Sequence, residues 1–239
     1  MIARLRGAVL GVRVALVGAL AGGLAAALAG GMVLSGCGSS SSGLANQPAR
    51  QILQQSVKAL TRSKSFYVTG DGANGLTKLS VALRLFSNGS FYGTLDDGGT
   101  RIEIVGVAGQ IYIEAPVAFW EKGGLTSSFA NQLNGKYAKL PASESGSLDE
   151  FTYAKVASQL SNQKGQVTDG GTKSVDGQQV IDVLLRNGTT TGHVYVAASG
   201  TPYPVELDDL GGGGAVELSQ WNHGTAPKAP TDIVLLPSS

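Results

Sequence analysis

Leu79-Ser80-Val81-Ala82-Leu83-Arg84-Leu85-Phe86-Ser87-Asn88-Gly89-Ser90-Phe91-Tyr92 is the stretch on which the fold turns. Leu79, Val81, Leu83 and Leu85 alternate with Ser80, Ala82, Arg84 and Phe86, which is the period of a strand with one buried face. Asn88-Gly89 then supplies a tight hairpin turn into Phe91-Tyr92. Upstream, Phe66-Tyr67-Val68 opens another strand. Downstream, Asp97-Gly98-Gly99 makes the next turn, Ile102 and Ile104 keep the alternation, and Ala108-Gly109 leads into Ile111-Tyr112-Ile113. Strands joined in sequence by short turns make an antiparallel meander.

A helix is predicted before the meander. Pro48 suits a first helical turn. Ala49, Ile52, Leu53, Ser56, Val57 and Leu60 then fall on one face, opposite Arg50, Gln54, Gln55 and Lys58. After the meander, Phe129 and Leu133 stand four apart and Gly135 can end a short helix. Lys136 to Pro141 reads as a short strand. Ser147-Leu148-Asp149-Glu150 is a capping box, and Tyr153, Val156, Ala157 and Leu160 line the helix that follows. Strand patterning returns at 179–185, 192–196, 204–207 and 215–221. The expected fold class is therefore α+β: a large curved antiparallel sheet, with helices against one face.

The N-terminus has a different composition. Arg4, Arg6 and Arg13 precede Val14 to Leu34, which carries no charge. A basic start, an apolar middle and small residues before a break make an export signal. The apolar part is also about long enough to span a bilayer, so an uncleaved anchor is the rival reading; the frequent glycine and the Leu34-Ser35-Gly36-Cys37 ending favour cleavage. That ending resembles a bacterial lipobox, which implies a diacylglyceryl group on Cys37 and a cut just before it. Cys37 is the single cysteine among 239 residues, so it has no intrachain disulfide partner. The expected division is a signal peptide over 1–36, a lipidated Cys37 with a flexible linker to residue 47, and one domain over 48–239. The covalent lipid on Cys37 is the only prosthetic group expected, and it implies anchoring to the outer face of the plasma membrane, or to an outer membrane if the host has one. Two acyl chains on one residue suffice for stable attachment.

Removing 1–36 leaves 203 residues, enough for one domain with a core of its own. The leader holds three of the 18 Lys+Arg and none of the 17 Asp+Glu, so the remainder carries a balance of −2. Nucleic acid is thereby excluded as an expected partner. Thirty-five glycines and 15% charged residues suit many tight turns. Catalytic patterns are sparse. His193 and His223 read as surface or capping residues, outside any metal-ligand spacing, and no metal is expected. No nucleophile elbow stands out. Gly211 to Gly214 lacks the Lys-Ser/Thr of a phosphate loop and reads as a hairpin tip. Asp96-Asp97 and Asp208-Asp209 precede glycines, where aspartate bonds the turn backbone; calcium is the sharper alternative. No enzyme activity is expected, and a hydrolase with an unrecognised site is the remaining alternative.

Several segments together resemble the actinobacterial LppX/LprG/LprA/LprF lipoproteins, which share a fold with the periplasmic carrier LolA. They are the lipobox at Cys37, the helices over 48–62 and 147–161, Val175 to Val183, Pro204-Val205-Glu206-Leu207-Asp208, and Val216-Glu217-Leu218-Ser219-Gln220-Trp221. The resemblance implies an incomplete barrel, helices on its concave side, and an apolar cavity for lipid or lipoglycan acyl chains. A monomer is expected, although the sequence does not fix the oligomeric state. The lining expected here is Leu79, Val81, Leu83, Leu85, Ile102, Ile104, Ile111 and Ile113. Phe86, Val105 and Tyr112 lie on the opposite phase. A tightly packed face with no cavity satisfies the same pattern. So does a sensor or scaffold that binds a protein or cell-wall partner through aromatic residues around Phe119-Trp120 or Trp221.

Overall fold

The computed structural model describes residues 43–74, 77–141, 152–163, 165–208 and 214–236. Cys37 and the leader, the Ser147–Glu150 capping box and the Gly211–Gly213 part of the glycine run lie outside the described residues.

The chain begins with helix α1 (Ala49–Arg62) and continues through strands β1 (Ser65–Asn74), β2 (Thr77–Phe86), β3 (Phe91–Asp97), β4 (Thr100–Val107) and β5 (Gln110–Glu114). Short helices α2 (Val117–Lys122) and α3 (Ser127–Gln132) precede β6 (Tyr137–Lys139). Helix α4 (Tyr153–Ser161) leads into β7 (Gln166–Val175), β8 (Gln178–Asn187), β9 (Thr190–Ala197), β10 (Pro204–Asp208), β11 (Val216–Ser219) and β12 (Ile233–Leu235). All twelve strands form one sheet, in the order β12-β6-β5-β4-β3-β2-β1-β11-β10-β9-β8-β7. Two meanders thus lie side by side, joined where β1 pairs antiparallel with β11. The sheet is curved and open, an incomplete barrel with helices against its concave face.

The expected order of helix, meander, helices, meander is the order found. Turn chemistry explains much of it. Asn88 Oδ1 accepts from Ser90 N at 3.0 Å while Gly89 takes φ +82°. Asp96 Oδ1 accepts from Gly99 N at 2.8 Å, which gives that aspartate its turn role. Pro48 is the cap of α1 and not its first residue: its extended backbone leaves its carbonyl to accept from Gln51 N and Ile52 N.

Three elements depart from expectation. Residues 43–47, read as linker, form a turn in which Gln47 N donates to the Leu44 carbonyl at 3.0 Å, and Leu44 is buried in the core. β7 is an exposed edge strand, interrupted by an irregular register between Asp169 and Thr172. The proline-rich tail crosses to the far margin of the sheet, where β12 pairs in parallel with β6. Arg84 holds the start of this crossing. Its Nη1 donates to the carbonyls of Gln220 and His223, each at 3.1 Å, and its Nη2 to Gln220 Oε1. The tail therefore covers part of the outer face, which is why Arg84 and Phe86 are buried on the phase expected to meet water.

Candidate functional site

The alternation in β2, β4 and β5 sends one set of side chains to a single buried face, and antiparallel register aligns them from strand to strand. One row runs Leu218, Val68, Leu83, Gly93, Ile104, Ile113, Ala138, Val234 across β11, β1, β2, β3, β4, β5, β6 and β12. A second runs Ile102, Leu95, Val81, Gly70, Val216, Leu207, Val194, Val183. A third runs Phe66, Leu85, Phe91, Gly106, Ile111. Seven of the eight expected lining residues therefore fall in three adjacent rows of one apolar face. Leu79 is buried on β2 between Gly72 and Asp97.

Two glycines shape this face. Phe91 lies across Gly106 so closely that a Cβ there would stand 2.2 Å from its ring. At Gly93 a Cβ would stand 2.1 Å from the Ala82 carbonyl oxygen. Small residues in these rows admit a neighbour where a side chain would fill the space.

All eight expected lining residues are between 1% and 7% exposed. The face is covered, so a ligand chain reaches it only by displacing what lies over it. Helix α1 packs over β7, β8, β9 and β10 and against α4. Tyr153 fixes that helix pair: its hydroxyl reaches the Ser63 carbonyl at 2.8 Å and also bonds the Leu60 carbonyl. Its ring meets Phe66 at 5.2 Å. Burial pushes the Tyr153 phenol above its ordinary range.

The aromatic residues considered for a protein-docking patch are placed otherwise. Phe119 is 7% exposed and Trp120 fully buried, and the Trp120 indole N–H donates to the Ala115 carbonyl at 3.1 Å. Trp221 is half-buried, stacked on Tyr203 at 4.2 Å and tilted against Phe66 at 4.9 Å. These rings serve the core because adjacent helical or extended positions carry them inward.

His193 also differs from expectation. Its Nδ1 lies 2.9 Å from Asp182 Oδ1, and Lys173 Nζ lies 2.7 Å from Asp182 Oδ2. The Asp182 side chain is 1% exposed. This group ties β7 and β9 to the centre strand β8, and the hydrogen bond from Lys173 to Asp182 holds the ammonium above the usual lysine range. The sequence signal was the lone acid inside Val180-Ile181-Asp182-Val183; its partners depend on register, which the pattern does not give. His223 is exposed, and its carbonyl accepts from Ser65 Oγ at 2.6 Å. Among the described residues no three His, Cys, Asp or Glu side chains are placed to hold a metal ion.

On the outer face Glu206 stands between Tyr195 and Glu217 in register. Burial pushes its carboxyl above the usual range, and Asp208, Asp176 and Glu217 add to the shift. The folded state therefore binds this proton more tightly than the unfolded chain, and the penalty for the charged form is fully present above the folded value. Glu206→Gln is expected to raise the thermal midpoint at pH 7, and the gain should fade as pH falls through that value into the usual carboxylate range. An equal gain at pH 7 and pH 4 would contradict this reading.

No protein-family model and no curated protein matches the sequence. Solved structures do match. LprF from Mycobacterium bovis superposes with a TM-score of 0.52 at 17% identity, covering 75% of this chain and 96% of LprF. The Mycobacterium tuberculosis lipoprotein LppX gives 0.48 at 14% identity, covering 74% and 97%. The likeness to LprF shows a shared fold, the one that the resemblance led us to expect. Among the described residues no helix is long and apolar enough to cross a membrane.

Proposed function

We propose that this protein is an exported envelope lipoprotein, anchored through a lipid on Cys37, that binds acyl chains of lipids or lipoglycans against the inner face of its sheet. The observation that carries the reading is the continuity of that face: apolar rows run across both meanders of an open sheet, and helix α1 packs on the strands of the second meander. An acyl chain transferred from water to such a surface gains ~0.8 kcal/mol per methylene. A protein that accepts one needs two things. It needs an apolar wall several strands wide, and a covering layer that can part from the wall without breaking the sheet. Packing of α1 on the sheet is side-chain packing, so its separation leaves the strand ladders intact. Binding then costs the opening of a closed state and is driven by burial of the chain. The role is binding or carriage, without catalysis.

The test is to express the full chain in an actinobacterial host, extract it in mild detergent and analyse non-covalently bound lipid by mass spectrometry. An amphiphile retained by the protein is the expected result. Recovery of none, together with failure to displace a fluorescent fatty acid, would overturn the binding role. Anchoring has a separate readout: Cys37→Ser is expected to abolish acyl labelling and release the protein from the membrane fraction, and unchanged membrane retention would contradict it.

A further inference from the structure

Helix α1 turns an apolar face to the sheet, and one residue on that face is out of place. Ser56 stands between Ile52, Leu53 and Leu60 on the buried side. It is 1% exposed, and its Oγ has no hydrogen-bond partner among the described residues. A helical serine ordinarily returns its hydroxyl to a carbonyl one turn back; this one does not. Helix α4, which packs on α1, carries a second such group: Gln159 Nε2 is buried and also without a partner among the described residues. Buried polar atoms in folded proteins are nearly always paired, so each exception calls for a cause. Packing alone supplies none, since alanine at position 56 would be a better helix former and would bury no hydroxyl.

Both groups can donate, and a ligand that completes them must accept. Within an apolar site for acyl chains, the acceptor that accompanies the chain is the carbonyl joining it to its headgroup. We propose that Ser56, with Gln159, forms a polar subsite for the ester or amide carbonyl of the bound amphiphile, which sets the depth at which its chain lies. This rests on the acyl-binding reading above and adds to it a chemical class: acyl esters and amides over ether-linked or unfunctionalised chains. Ser56 Oγ–H donates to the carbonyl oxygen, and the Gln159 amide donates to the same or a second carbonyl.

The probes are palmitoyl lysophosphatidylcholine and its hexadecyl ether analogue, which differ in the carbonyl. Binding of each to the full chain is measured by displacement of a fluorescent fatty acid. The wild-type protein is expected to prefer the ester about fivefold, the ratio that one added neutral hydrogen bond supplies. Ser56→Ala is expected to abolish the preference while leaving the ether affinity unchanged and the lipid-free thermal midpoint equal or higher. Gln159→Leu should reduce the preference in the same direction. Equal binding of ester and ether by the wild type, or a preference that survives Ser56→Ala, overturns the subsite and leaves acyl binding standing. Failure of both probes to bind overturns acyl binding itself.

Discussion

Gly93→Ala is expected to be among the most destabilising single changes in this protein, costing about 3 kcal/mol or more. Gly93 lies at the centre of β3, between Leu83 and Ile104 in register. A Cβ on it would stand 2.1 Å from the Ala82 carbonyl oxygen and 2.9 Å from the Leu83 Cα. Both are backbone atoms of the paired strand, and Gly93 holds φ +153°, so relief means changing its backbone angle or pulling β2 and β3 apart. Gly99→Ala is the informative control. Gly99 has φ +87° in the β3–β4 turn, with nothing within 4 Å of the added carbon. It should lose only the left-handed backbone penalty, about 1 kcal/mol. Gly106→Ala should fall between them: its clash is with the Phe91 ring at 2.2 Å, and a ring can turn where a backbone cannot. Urea unfolding of the three variants gives the order directly. A Gly93→Ala variant as stable as Gly99→Ala would show that the sheet yields at this point.

The same contrast marks what the sequence could and could not tell. Alternation from Leu79 to Leu85 and the Asn88-Gly89 turn were enough to place β2 and β3, because burial on one face imposes period two. The helical faces of α1 and α4 were legible for the corresponding reason. β7 was missed because an edge strand exposed to water has no apolar alternation, and its Asp169-Gly170-Gly171 bulge reads as loop. β12 was missed because three residues give no period, and because its partner β6 lies far away in the chain. The sidedness of the lining residues was legible, yet the rows that join Leu83 to Ile104 and Ile113 depend on register. Gly93 and Gly106 interrupt the apolar pattern where the rows need space. Asp182 was visible as an oddity in a strand; that His193 and Lys173 converge on it was not. Ser56 is legible as a member of the apolar helix face, whereas the lack of a partner for its hydroxyl among the described residues depends on tertiary packing.

Leu83→Ala is expected to cost about 3 kcal/mol in the lipid-free protein, and markedly less when an amphiphile is bound. Leu83 is 1% exposed within an apolar row that crosses eight strands, so truncation removes buried methyl groups and leaves a hole. If acyl chains lie against this row, a bound chain fills part of that hole. The ligand then stabilises the variant more than it stabilises the wild type, because stabilisation grows with affinity for the folded state alone. Phe86→Ala serves as the comparison. Phe86 is 6% exposed on the outer face, stacked on Tyr92 at 6.0 Å, where a ligand on the inner face cannot reach. Its cost should be the same with and without amphiphile. Thermal unfolding of both variants and the wild type, each with and without lysophosphatidylcholine, separates the two behaviours. An identical Leu83→Ala cost in both conditions would mean that the inner face is a packed core and that any ligand binds elsewhere.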